Sequence, residues 1–133
     1  MATVITFGTF DLFHIGHLRL LRRARALGDR LVVGVSTDAL NIAKKGFAPI
    51  FSQADRMDIV AAVKGVDEVF SEDSLERKGA YIKAYKAGIL VMGDDWRGKF
   101  DQFGNLCQVV YLPRTEGIST TQVKEETVRK ALS

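Results

Sequence analysis

The sequence predicts an α/β fold, an open parallel sheet with helices on both faces. Three observations predict it. Short runs rich in Val, Ile and Leu recur along the chain as near-continuous apolar stretches, the pattern of strands covered on both sides. Between them lie segments whose apolar residues repeat at helical spacing. The chain has 133 residues, 47% of them hydrophobic and 26% charged, the size and balance of one globular domain with its own core. One domain over residues 1–133 is therefore expected.

Thr3-Val4-Ile5-Thr6-Phe7 is β-branched and aromatic, a buried first strand, and Gly8 lets the backbone turn after it. Leu18, Leu20, Leu21, Ala24 and Leu27 then place a helix from about Ile15 to a stop at Gly28. Its arginines, Arg19, Arg22, Arg23 and Arg25, are expected on a solvated face. Arg30 to Ser36 is an apolar run of strand length. Thr37 to Pro49 has no clean period and contains a Gly and a Pro, so a long loop is expected there, at an edge where loops bind ligands. Ser52 is placed to cap a helix reaching Val63, with Asp55 as its third residue. Within that helix, Arg56 reads as an interface or loop-anchoring residue or as an ordinary surface arginine. Asp67 to Phe70 reads as a short strand. Ser74 to Ala87 reads as an amphipathic helix stopped by Gly88. Ile89 to Met92 and Cys107 to Leu112 are the remaining strands, ended by Gly93 and Pro113, and Ser119 caps a final helix to Leu132.

A net charge of +3 and a pI near 9.1 suit an anionic ligand but fall short of a nucleic-acid footprint. Small phosphates are the expected partners. A lone cysteine, Cys107, cannot form an intrachain disulfide, fits a reducing compartment and reads as a small core residue. No apolar run reaches the roughly 18 residues of a membrane span, and no signal-peptide pattern opens the chain, so a cytoplasmic protein without a membrane partner is expected.

In a parallel open sheet, ligands bind beyond the carboxyl ends of the strands. The loops expected there are 8–13, 37–49, 93–99 and 113–119. The only two histidines, His14 and His17, fall together behind the first strand, at a helix N-terminus whose free N–H groups and partial positive charge favour phosphate. At spacing i, i+3 they share one side of the helix, with Gly16 between them leaving room for a ligand. Thr9 and Phe10 offer backbone N–H groups in the preceding turn, and Asp11 is expected to cap the helix or to act indirectly near a metal. Ser119, Thr120 and Thr121 offer hydroxyls and amides at the last helix start, and Arg114 offers a planar fork for phosphate.

His14-Ile15-Gly16-His17 resembles the HxGH signature of the nucleotidyltransferase superfamily, and Arg114-Thr115-Glu116-Gly117-Ile118-Ser119-Thr120-Thr121 is similar to the RTEGISTT segment of the small cytidylyltransferases. Val91 to Asp101 and Val109 to Pro113 also resemble the glycerol-3-phosphate cytidylyltransferase family. The resemblance covers nearly the whole chain. It implies a Rossmann-like HxGH nucleotidyltransferase fold, a homodimer, and transfer of CMP from CTP to glycerol 3-phosphate, giving CDP-glycerol and pyrophosphate. Such a product is a precursor for teichoic acid or capsule polymers. Another small phosphorylated alcohol or sugar as acceptor, ATP as donor, and a binding module without turnover are the competing readings.

The roles implied by the resemblance fall on these residues. His14, His17, Arg114 and Lys44 are the expected catalytic set. CTP is expected on Thr9, Phe10, His14, Ile15, Gly16, His17, Lys45, Gly93, Asp94, Trp96 and residues 114 to 121. The acceptor is expected on Lys44 and Lys78. Mg²⁺ or a similar divalent ion is expected on the CTP phosphates with no protein ligand, although Asp94-Asp95 alone also reads as a metal pair. Two positions depart from the family pattern: the second loop lysine is displaced to Lys45, with Gly46 in its place, and Leu75 stands where a tryptophan is expected.

Overall fold

The computed structural model describes residues 2–115 and 118–132. Its centre is a five-stranded sheet of β1 (Thr3–Gly8), β2 (Arg30–Ser36), β3 (Glu68–Glu72), β4 (Ile89–Gly93) and β5 (Gln108–Leu112). The order is β3-β2-β1-β4-β5 and every pairing is parallel. Thr3 pairs with Arg30 and Gly8 with Val35 along β1 and β2, while Val4 pairs with Ile89 on the other side. The chain thus leaves β1 in one direction and later returns to its opposite edge, which opens a crevice at the carboxyl ends of β1 and β4.

Neighbouring residues on each strand serve opposite faces. Val4, Leu31, Val33, Val35 and Val91 pack with Leu21 and Ala24 of α1 (Ile15–Arg25) and Val60 of α3 (Gln53–Ala61). Ile5, Phe7, Val32, Leu90 and Met92 pack beneath Ile82 of α4 (Lys78–Ala84), with Phe100, Phe103 and Cys107 against that cluster. Both faces are dry, as the near-continuous apolar strands predict. Ser52 Oγ accepts from the Asp55 N–H at 3.2 Å, the predicted cap of α3.

Two predicted elements are corrected. The loop expected over residues 37–49 is mostly a helix, α2 (Asp38–Lys45). Thr37 caps it, accepting the Leu40 N–H at 3.0 Å, and Gly46 at φ 83° ends it in a left-handed turn. The buried residue of α2 is Asn41, so no apolar period marks the helix in the sequence. The helix expected from Ser74 to Ala87 is broken into a 3₁₀ turn, Leu75–Arg77, and α4. Ser74 caps at Glu76, two residues on, which tightens the first turn, and Lys86 at φ 52° stops the helix before Gly88. There the Ala87 N–H donates to the Ile82 carbonyl at 3.0 Å. The last helix is α5 (Thr120–Leu132), with Ser119 Oγ accepting the Gln122 N–H at 3.1 Å. Among the described residues no helix is long and apolar enough to cross a membrane.

Candidate active site

β1 delivers its chain end into a tight turn in which Phe10 and Leu12 both take positive φ, 55° and 48°. Phe10 anchors the turn by burying its ring in the core. His14 follows in extended backbone and becomes the N-cap of α1. Its Nδ1 accepts the Gly16 N–H at 3.0 Å, and the His14 N–H donates to His17 Nδ1 at 3.2 Å. A ring nitrogen that accepts from an N–H carries no proton, so both imidazoles, when neutral, hold theirs on Nε2. The rings stack with centroids 3.8 Å apart. A Cβ on Gly16 would meet His14 Cε1 at 2.8 Å, so only glycine allows this packing.

The environment keeps the pair neutral. Burial lowers the pKa of His14, and burial, then the charge of His14, brings His17 down to about 4 against the opposing pull of Asp11. His17 also packs on Phe10 and Phe13, at 5.4 and 5.3 Å between ring centres. Near pH 7 the site therefore offers two Nε2–H donors at the N-terminus of α1, where a developing anion meets aligned amides as well.

These donors open into a cleft of about 240 Å³ at the carboxyl ends of β1 and β4. Of the predicted nucleotide contacts, Phe10, His14, Gly16, His17, Gly93, Trp96, Arg114, Thr115, Ile118, Ser119 and Thr120 line it. Thr120 Oγ1 donates to the Asp11 carbonyl at 3.0 Å, which brings the start of α5 against the β1 turn. Ile15 and Thr121 do not line the cleft and point into solvent, and Asp95 lines it in place of Asp94. Glu116 and Gly117 lie outside the described residues. Arg23 is exposed, as expected, and from that face donates to the Pro113 carbonyl at 2.8 Å and lines the cleft beside Leu20.

A second cavity, about 420 Å³, shares Phe7, Gly8, Met92 and Trp96 with the first. It brings together Lys44 and Lys45 from α2, Lys78 from α4, and Thr9. Lys78 is buried, ion-paired with Glu72, and its ammonium lies 4.4 Å from the centre of the Phe7 ring. Partial burial lowers the pKa of Lys44, opposed by Glu72 and reinforced by Lys45 and Lys78. Leu75 lines the same cavity.

The structure decides the open reading of Arg56 and corrects that of Asp11. Arg56 is fully buried and anchors loops: Nε donates to the Phe51 carbonyl at 3.0 Å, Nη1 to the Thr9 and Ser36 carbonyls at 2.9 and 2.7 Å, and Nη2 meets Asp38 at 2.6 Å. The surface reading of this residue is corrected. Asp11 does not cap α1. Its carboxylate accepts from Leu12, Ile50 and Phe51 N–H groups at 3.0, 2.8 and 2.9 Å, holding the segment after α2 against the β1 turn. Sequence reasoning also missed Asn41, whose Oδ1 accepts from Thr9 Oγ1 at 3.0 Å while its Nδ2 donates to Ser36 Oγ at 2.8 Å. No group of three or more His, Cys, Asp or Glu side chains suited to a metal converges among the described residues.

Residues 5–126 match the cytidylyltransferase-like family. Over 126 residues the chain is 52% identical to the glycerol-3-phosphate cytidylyltransferase of Bacillus subtilis strain 168, covering 95% of this chain and 97% of that protein. It is 43% identical to the Staphylococcus aureus protein of that name, with 95% of each covered. It is 37% identical to ethanolamine-phosphate cytidylyltransferase of Arabidopsis thaliana, over 87% of this chain and 30% of that one. Among solved structures, the lipopolysaccharide core biosynthesis protein of Thermoplasma volcanium superposes with TM-score 0.72 at 25% identity, covering 87% of this chain and 99% of that one. Pantothenate synthetase of Thermus thermophilus shares the fold, with TM-score 0.63 at 19% identity over 98% of this chain and 65% of that one.

Proposed function

This chain belongs to the cytidylyltransferase-like family, and from that premise we propose that it transfers CMP from CTP to glycerol 3-phosphate, giving CDP-glycerol and pyrophosphate. The observation that carries the mechanism is the stacked, neutral His14–His17 pair at the N-terminus of α1, on the crevice between β1 and β4. A phosphate oxygen of the acceptor attacks the α-phosphorus of CTP in line. The bond from that phosphorus to the bridging oxygen of the β-phosphate breaks, and pyrophosphate leaves with its electron pair. No covalent enzyme intermediate is required.

The protein's work is positioning and electrostatic stabilisation. His14 and His17 donate from Nε2 to the α-phosphate oxygens as charge builds there. Ser119, Thr120 and the amides at the start of α5 receive the departing pyrophosphate, with Arg114 as a forked cation beside them. Lys44 and Lys78 hold the acceptor, and Lys45 bridges toward the triphosphate. CTP enters as its Mg²⁺ complex, or with a similar divalent ion, held mainly by the phosphates. The donor set fits this assignment, because both Asp11 carboxylate oxygens already accept backbone N–H bonds. The cytoplasm as the site of action and a homodimer as the working form belong to the same proposal.

Pyrophosphate release, measured with CTP and ATP against a panel of phosphorylated alcohols and sugars, tests it. CTP with glycerol 3-phosphate is expected to give the highest kcat/KM. Preference for ATP, or for an acceptor other than glycerol 3-phosphate, overturns the substrate assignment, and no turnover with any pair overturns the enzyme reading. Lys44→Ala is expected to raise the KM for the acceptor while leaving that for CTP nearly unchanged.

A further inference from the structure

Glu72 is at odds with a pocket built for a phosphate. Its side chain is 2% exposed, and it stands in the wall of the acceptor cavity, where a carboxylate repels the anion that must enter. A buried carboxylate persists only when paired. Lys78 supplies the pairing through Glu72 Oε2, with its ammonium also facing the Phe7 and Phe100 rings at 4.4 and 5.5 Å. Of the four lysines lining the cavity, Lys44, Lys45, Lys78 and Lys99, only Lys78 is in an ion pair among the described residues. As a unit the Glu72–Lys78 pair is neutral, so the attraction for phosphate comes from the other three.

The layout of the cavity agrees. It joins the nucleotide cleft at Gly8, Phe7, Met92 and Trp96, and the attacking phosphate has to sit at that junction to reach the α-phosphorus. Glu72 ends β3, two strands away from β1, roughly 10 Å at the usual strand spacing. The carbon chain of the acceptor therefore runs from the junction toward Glu72. One carboxylate oxygen is taken by Lys78. The other makes no hydrogen bond among the described residues, which leaves its lone pairs available on the cavity wall.

We propose that the Glu72–Lys78 pair reads the free hydroxyls of the acceptor, Glu72 accepting from one hydroxyl and Lys78 donating to one, so that Glu72 makes the site selective for a polyol phosphate over a phosphorylated alcohol without hydroxyls. This rests on the acceptor cavity assigned above. A carboxylate, unlike a fourth cation, rewards a hydroxyl and penalises a second phosphate, so a bisphosphate is expected to be a poor acceptor.

The test compares glycerol 3-phosphate with n-propyl phosphate, which lacks both hydroxyls, using CTP and pyrophosphate release. The wild-type enzyme is expected to favour glycerol 3-phosphate in kcat/KM by roughly tenfold to a hundredfold, the range of a hydrogen bond to a charged group. Glu72→Leu with Lys78→Met replaces the pair by apolar groups of similar size, an exchange that buried ion pairs commonly tolerate. The preference is expected to shrink to within about threefold, with the KM for CTP changed less than about twofold. Glu72→Gln, which keeps the size and removes only the charge, is expected to reduce the preference at least about threefold. If the variants lower kcat/KM equally for both acceptors, Glu72 merely braces Lys78 and the inference is overturned. Equal use of the two acceptors by the wild type overturns it without any variant. Failure of the wild type to use either acceptor refutes the reaction proposed above as well.

Discussion

His17 gives each of its ring nitrogens a separate task, and two substitutions separate them. Nδ1 accepts the His14 N–H at 3.2 Å and closes the cap of α1, while Nε2–H takes no part in the cap and in the proposed mechanism serves the substrate. Asparagine places an acceptor near the Nδ1 position and nothing at Nε2. Glutamine reaches the Nε2 position with a donor and abandons the cap. Removing one preorganised donor to a developing oxyanion costs about 2.7–4 kcal/mol, or 10²–10³ in kcat. Losing this reciprocal half of the capping box costs roughly 0.5–1.5 kcal/mol, the net value of one hydrogen bond, which corresponds to about 2–6 °C in Tm for a chain of this length. Both variants lose the ring contacts with Phe10 and Phe13, so that loss cancels between them.

The two properties should therefore cross over. His17→Asn is expected to melt above His17→Gln, yet to have a kcat roughly 10²–10³ below wild type, with glutamine at least about tenfold faster than asparagine. Steady-state pyrophosphate release at saturating substrates and thermal unfolding followed by circular dichroism measure the two quantities. If His17→Asn keeps kcat within tenfold of wild type, Nε2 is not the donor. If the more stable variant is also the faster, His17 acts through the fold and the tautomer assignment fails.

The depressed pKa of His17 has a sign in stability. The unfolded chain takes up a proton near 6.5 and the folded chain only near 4, so the stabilisation is complete above pH 6.5 and is lost as pH falls to 4. Urea unfolding should show a loss of up to about 3 kcal/mol across that window, and His17→Asn should flatten it. A chelator in excess should stop turnover and added Mg²⁺ should restore it, because the triphosphate needs partial neutralisation before a second anion approaches; undiminished activity would move that task to Lys45 and Arg114. Arg56→Met strips donors from the carbonyls of Thr9, Ser36 and Phe51 and should cost about 3–5 kcal/mol in denaturant unfolding; a loss below about 1 kcal/mol would mean water replaces the guanidinium.

What could be read in the sequence was what repeats. The strands announced themselves because both faces of the sheet are apolar, and the histidine-lined cleft did so because its parts are contiguous: a strand, a turn and a helix start at 3–17, and a loop and a helix start at 113–121. Helix α2 was hidden because its inward position is the amide of Asn41, and by periodicity an asparagine counts as solvent-facing. For Arg56 the sequence left loop anchoring and a surface position open, since arginine is almost never fully buried unless its donors are matched, and the matching carbonyls come from residues 9, 36 and 51. Spacing along the chain carries no trace of them. Nothing in the sequence singles out Glu72, because its partner Lys78 lies beyond a capped 3₁₀ turn.

The residues whose roles the sequence missed or left open are the ones that join the two halves of the site. A single Arg56 nitrogen bonds the carbonyl of Thr9, in the histidine-bearing turn, and that of Ser36, at the end of β2. Thr9 in turn donates its hydroxyl hydrogen to Asn41, which stands one helical turn ahead of Lys44 and Lys45. Asp11 holds the segment that follows α2. The turn that leads to His14 and His17 and the helix that carries Lys44 and Lys45 are thus fastened to common buried atoms. In-line attack requires the two substrates to meet within a few tenths of an ångström of the productive geometry. Here that precision rests on a desolvated polar network, which tolerates few alternative arrangements because each carbonyl left unpaired costs about 1–3 kcal/mol.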